Sequence, residues 1–189
     1  MYKQWLSVAS CIVLAVGLIP IHDAHGGPFA SKEKQRIKID ADSKLTLSGL
    51  LEDNEKAKSL YESAYGYATF NVLKISLAFT GGGGQGVAIN KATGERIYMR
   101  MGTGGLNLGL GGQVYKLVFL FEDSATFDEF VTTGWEAGAS ANAVAGPAGL
   151  NAGASFINGI AVYQITEAGL MLQADISGTH YWRSKLNQG

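Results

Sequence analysis

Cysteine is nearly absent from this chain. Cys11 is the sole one, so no intramolecular disulfide is available. Histidine is scarce as well, with only His22, His25 and His180. A zinc site at His180 would have no cysteine or second histidine beside it, and carboxylates would have to complete it. Charge of either sign is not in excess: 15 Lys and Arg face 16 Asp and Glu, for a formal net charge of −1. No overall field therefore selects a nucleic acid or a membrane as partner, and nucleic acid is not expected. The G-x-S-x-G elbow of a serine hydrolase does not occur, which leaves His180 without a nucleophile motif. Glu136, Glu167 and Asp175 are possible acid–base carboxylates, but nothing in their spacing makes them converge. No catalytic residue, metal or cofactor is assigned, and the chain is not expected to be an enzyme.

Long apolar runs are also lacking, with one exception. Lys3 precedes an apolar stretch from Trp5 to Ile19, Pro20 ends it, and Ala24-His25-Gly26 supplies small residues at the −3 and −1 positions of a cleavage site. This is the layout of a secretory signal over residues 1–26. It is short for a spanning helix, which needs roughly 17–25 residues. Val8-Ala9-Ser10-Cys11 resembles a lipoprotein box, but it comes early and apolar residues continue behind it. The expectation is an exported protein, periplasmic or envelope-associated, with lipidation at Cys11 the lesser alternative. Cleavage would leave about 160 residues, the length of one domain.

Residues 27–49 are polar with no sustained hydrophobic period. They carry Lys32, Lys34, Arg36 and Lys38, then Asp40 and Asp42. They read as a solvated arm, or as a basic strip for anionic headgroups at about 1 kcal/mol per charge. From Leu50 to Tyr65 the apolar residues recur at spacings of three and four, which predicts a helix with a core-facing stripe. Gly66 offers a left-handed stop.

Glycine is plentiful beyond that point, with twenty between Gly81 and Gly178. Val87-Ala88-Ile89 and Arg96-Ile97-Tyr98-Met99 predict a hairpin turning at Gly94. Val114–Phe121 alternates with apolar residues on both faces, which predicts a central strand covered on both sides. Ser124 is read as the cap of a short helix bearing Phe127, Phe130, Val131 and Trp135 on one face. Ile160–Ile165 and Leu170–Ile176 form another expected hairpin, turning at Glu167-Ala168-Gly169. The tract from Gly138 to Gly153 is almost all Ala, Gly, Asn and Ser, suited to close backbone approach.

Two motif strings carry little. Gly81-Gly82-Gly83-Gly84-Gln85-Gly86 matches G-x-G-x-x-G, but a dinucleotide site needs a helix after it, and Val87-Ala88-Ile89-Asn90 reads as strand. A bulged or bent strand is expected there. Ser31-Lys32-Glu33-Lys34 matches S-x-x-K without its partner motifs.

The glycine-rich pattern, taken in order, resembles the SYLF family of lipid-binding domains. The matching pieces are Ala57 to Phe70, Gly81 to Val87, Met101-Gly102-Thr103-Gly104-Gly105 and Gly109-Leu110-Gly111-Gly112-Gln113. They continue through Val118 to Phe121, Phe127 to Phe130, Ala161-Val162-Tyr163, Gly169-Leu170 and Ile176-Ser177-Gly178. Asn71 stands where the family often has a proline. The resemblance runs from Glu55 to Asn187, and residues 50–189 are read as one such domain. It implies an α+β, β-dominated fold: mostly antiparallel sheet, as a sandwich or partly closed barrel, with an N-terminal helix and one or two more. It also implies affinity for phospholipid. Actin, a partner of eukaryotic members, is not expected for an exported chain. The candidate lipid-binding residues are Lys32, Lys34, Arg36, Lys38, Lys56, Lys58 and Lys74, with Leu60 and Tyr61 as a docking surface. The alternative is a structural, self-associating envelope protein built on the small-residue tract.

Overall fold

The computed structural model describes residues 28–76, 79–106, 111–137, 155–166, 169–171 and 178–188. The expected signal, the tract from Gly138 to Gly153, Glu167 and Asp175 lie outside them. So does the second strand of the last hairpin beyond Met171.

Among the described residues, three helices accompany eight strands. In chain order they are α1 (Pro28–Asp53), α2 (Glu55–Ser63), β1 (Gly66–Ser76), β2 (Phe79–Asn90), β3 (Arg96–Leu106), β4 (Gly111–Phe121), α3 (Ser124–Thr132), β5 (Trp135–Ala137), β6 (Ile160–Thr166), β7 (Gly169–Met171) and β8 (Thr179–Arg183). A 3₁₀ turn, Lys185–Asn187, follows β8. The strands form one curled antiparallel sheet in the order β5-β8-β3-β2-β1-β4-β6-β7. The partly closed barrel of the sequence expectation is the form adopted.

Alternation along the strands builds two apolar layers. One face carries Phe70, Val72, Met99, Leu117, Phe119 and Phe121 against Phe127, Phe130 and Val131 of α3. Aromatic rings fill it, with Phe119 lying 5.8 Å from Phe70 and 5.2 Å from Tyr181 between ring centroids. Such pairs add roughly 0.5–1.5 kcal/mol beyond their area. The other face carries Val118, Leu120, Ala161 and Tyr163 against Leu47, Leu50, Ala57 and Ala64. Farther along the same face, Val87 and Tyr98 meet Ile39 and Leu186. β4 is thus covered on both sides, as its double apolar pattern predicted.

Local details correct the sequence reading at several places. The segment expected as a solvated arm is helix, and α1 buries Ile39, Ser43, Thr46, Leu47 and Leu50 along one side. Two of those five are hydroxyl residues, which dilutes the hydrophobic period. The next helix begins at Glu55, not Leu50, because Asn54 leaves helical geometry and its side chain accepts from the Ala57 N–H at 2.8 Å. Gly66 is no left-handed stop. It opens β1, and a Cβ there would lie 2.7 Å from the Phe127 ring. Asp123, not Ser124, caps α3 by accepting from the Thr126 N–H. Trp135 leaves that helix after Gly134 (φ +82°) and enters β5, though its ring still packs on the aromatic layer. The glycine string makes no bulge. β2 pairs with β1 in unbroken register from Gly66↔Asn90 to Ser76↔Thr80.

Gly86 is the glycine of that string most tightly required by contact. A Cβ on Gly86 would collide with the Thr69 carbonyl oxygen and lie 2.7 Å from the Phe70 ring, whereas one on Gly81 meets nothing within 4 Å. Gly86→Ala should therefore cost about 3 kcal/mol or more, and Gly81→Ala should be near neutral. Urea unfolding of both variants checks this. Equal losses would contradict it.

Candidate functional site

The outward side of α1 follows from its buried side. With Ile39, Ser43, Thr46, Leu47 and Leu50 turned to the sheet, Lys34, Ile37, Lys38, Ala41, Lys44, Leu45 and Ser48 share the opposite face at helical spacing. Ile37 is 60% exposed and Leu45 67% exposed, Ile37 between Lys34 and Lys38 and Leu45 beside Lys44.

The sheet continues this surface beyond α1. Leu73 and Ile75 of β1 point to the α1 side, since Phe70 and Val72 point to the other. Val114 lies opposite Leu73 across the β1–β4 ladder and shares its face. Trp182 of β8 lies opposite Arg100 and also faces that side, its ring over Gly102. Ile37, Leu45, Leu73, Ile75, Val114 and Trp182 are the exposed large hydrophobic residues among those described, and all six lie on the α1 side of the sheet. Their common side makes the α1 face the candidate surface.

The structure separates the predicted basic residues into three groups. Lys34 and Lys38 stand on the outward α1 face. Lys32 and Arg36 bind the end of the chain. The Lys32 Nζ donates to the Gln188 carbonyl at 3.1 Å, and the Arg36 guanidinium donates through Nε (2.9 Å) and Nη2 to the Leu186 carbonyl. Arg36 also pairs with Glu33 at 3.6 Å. Lys56 and Lys58 are exposed on α2, and Lys74 alternates to the α3 side of β1. Leu60 and Tyr61 are half-buried against the second apolar layer. Tyr61 packs edge-on to Tyr67 at 5.6 Å, with the Lys91 Nζ 4.5 Å above its ring. Lys44, Ile37, Leu45, Leu73, Ile75 and Val114 were missed. For Ile37, Lys44 and Leu45 the signal was the 34–37–38–41–44–45–48 spacing, legible only once α1 is known to be a helix; for Leu73, Ile75 and Val114 it was strand alternation, which puts them on the side α1 covers.

The seam that holds α1 is polar at its centre. Asp40 accepts from the Tyr98 hydroxyl at 3.1 Å and lies 3.6 Å from the Arg96 Nε. Asn71 Nδ2 donates to Asp42 Oδ2 at 2.9 Å. Burial, followed by the Asp40 carboxylate, pushes the Tyr98 hydroxyl up to about 12. His180 is exposed on β8, stacked on Trp182 at 5.6 Å with Glu136 opposite it on β5. Among the described residues, no three His, Cys, Asp or Glu side chains are grouped to hold a metal ion, and no helix is long and apolar enough to cross a membrane.

Residues 102–187 match the family model Ysc84, described as Las17-binding protein actin regulator. Beta cell expansion factor A of Aeromonas veronii is 45% identical to this chain over 158 residues. The chain belongs to the SYLF family. The relative's match covers 84% of this chain and 60% of the relative, so the chain spans about three-fifths of that protein. A match of that length reaches well before the SYLF model's first residue and takes in most of α1. SYLF membership is linked to lipid binding, and neither the family's description nor the relative's name is that of an enzyme.

The Tyr98–Asp40 contact gives this seam an alkaline signature. The folded-state value of Tyr98 is above the free value, so its contribution to stability is intact below pH 10 and is lost as pH rises through about 12. Tyr98→Phe should lose less stability than the wild type over that interval. Urea midpoints measured at several alkaline pH values check it, and parallel curves would contradict it.

Proposed function

We propose that this protein is an exported lipid-binding module that docks on anionic phospholipid with the α1 side of its sheet. One observation carries the reading: six exposed large apolar residues lie on that side, two of them, Ile37 and Leu45, on the same helix face as Lys34, Lys38 and Lys44. SYLF membership supports lipid as the partner. Export rests on the signal-like residues 1–26, and the site of action is then the periplasm or envelope. Catalysis is no part of the proposal, nor is actin.

The lysines supply attraction and the apolar residues supply insertion. Basic residues near an anionic surface contribute about 1 kcal/mol each. Ile37 and Leu45 add up to roughly 1.5–3 kcal/mol apiece if fully buried. The lysine part is screened within about 8 Å at physiological salt, so binding should weaken as salt rises. Lys32 and Arg36 contribute less than their charge suggests, since carbonyl oxygens already occupy them.

The triple change Lys34→Gln, Lys38→Gln and Lys44→Gln should weaken flotation with phosphatidylglycerol vesicles about hundredfold at low salt. Thermal unfolding should shift little, because all three side chains are exposed. A variant that floats like the wild type would remove the electrostatic reading. So would equal flotation of the wild type with neutral vesicles.

A further inference from the structure

Between α1 and the sheet lies a small cleft that the docking surface does not explain. Asp42 and Ser43 of α1 face Thr69, Asn71 and Gln85 of the sheet across it, with Gly86 also in its lining. About 10 Å³ is open to the centre of a water-sized group, room for one. The lining is rich in acceptors. Asn71 Nδ2 already donates to Asp42 Oδ2, which leaves the other Asp42 oxygen and the Asn71 carbonyl oxygen to accept. The Ser43 hydroxyl is the unusual member. Ser43 is 2% exposed, yet its Oγ has no hydrogen-bond partner. A buried polar atom left unpaired points to an occupant.

The surroundings place three chemistries side by side. Lys38 stands one helical turn before Asp42 on α1. Lys116 lies directly opposite Asn71 on β4 and shares its face. Two residues farther along that face, Leu73 and Val114 form an exposed apolar pair. An acceptor-lined slot for a water-sized donor is thus followed by two cations and then by apolar surface. A phospholipid with a primary amine in its headgroup presents the complement in the same sequence: ammonium, phosphate, hydrocarbon.

We propose that the cleft binds the primary ammonium of an aminophospholipid headgroup, with Lys38 and Lys116 on the phosphate and Leu73 and Val114 against the hydrocarbon. The lipid part rests on the docking reading above; the ammonium slot does not. An –NH₃⁺ group is water-sized and carries three donors, and Asp42 supplies the counter-charge. A trimethylammonium group is too large for the slot and has no N–H to give. The site therefore discriminates ethanolamine from choline at equal lipid charge.

Two vesicle compositions test this. Both hold the same fraction of phosphatidylglycerol, and the remainder is either phosphatidylethanolamine or phosphatidylcholine. Wild-type protein should bind the ethanolamine vesicles at least about tenfold more tightly, the scale of one charge-assisted hydrogen bond. Asp42→Asn and Ser43→Ala should each erase that preference while still binding both vesicles, with circular dichroism showing each variant folded. Equal wild-type binding to the two compositions overturns the slot, which then holds only water, and leaves the docking reading standing. A preference that survives both variants belongs to bilayer packing and also overturns it. Absence of binding to any vesicle defeats the docking reading instead. In that event soluble O-phosphoethanolamine is titrated by calorimetry: binding lost in Asp42→Asn keeps the ammonium site for a free amine, and no binding ends it.

Discussion

The lie of α1 across the sheet decides what the protein shows to its surroundings. Ile39, near one end of the helix, sits among Val87, Tyr98 and Leu186. Leu47 and Leu50, near the other, sit among Val118, Leu120 and Tyr163. The helix therefore crosses several strands rather than following one, and the two apolar anchors fix its rotation. Once that rotation is set, Lys34, Ile37, Lys38, Lys44 and Leu45 have to point outward. The strands beyond the helix are left open, with Leu73, Ile75 and Val114 on them. The opposite face has no such freedom, because the aromatic layer and α3 close it.

The middle of the seam is built differently from its ends. Ser43, Thr69, Asn71 and Gln85 meet there instead of branched aliphatics. A purely apolar seam would pack more tightly and would leave no unpaired hydroxyl. The chain keeps polar groups at a buried boundary, and Asn71 occupies the position at which it departs from the proline common in its family. Buried polar groups left short of partners are where binding sites are found. The same seam also fixes the fate of the basic residues. Lys32 and Arg36, one turn apart, are turned toward the 3₁₀ turn and its carbonyls, while Lys34 and Lys38 are turned away.

Much of the sheet was legible before any coordinates. β4 announced itself by apolar residues on both faces. The β2–β3 hairpin was marked by Gly94, which has the positive φ (+73°) that the turn required. Helix α1 was not legible. Its buried stripe mixes Ser43 and Thr46 with Ile39, Leu47 and Leu50, so the hydrophobic period falls below notice, while the charges on its outer face suggest a solvated arm. The loss of α1 concealed the site. Without the helix, Lys32 and Lys34 look equivalent, and Ile37 and Leu45 have no face to share. Trp135 was misplaced for another reason: Gly134 ends α3, yet the ring returns to the same core, so apolar spacing alone could not separate helix from strand.

Depth measurements on a bilayer test the one-sided contact most directly. Nitroxide labels at positions 45 and 73, on the α1 side, and at position 129, on the exposed side of α3, would be compared on anionic vesicles by their accessibility to oxygen and to a polar relaxation agent. The labels at 45 and 73 should move into the interfacial region, while the label at 129 stays in water. Immersion of position 129 with 45 and 73 remaining aqueous would contradict the orientation at its root.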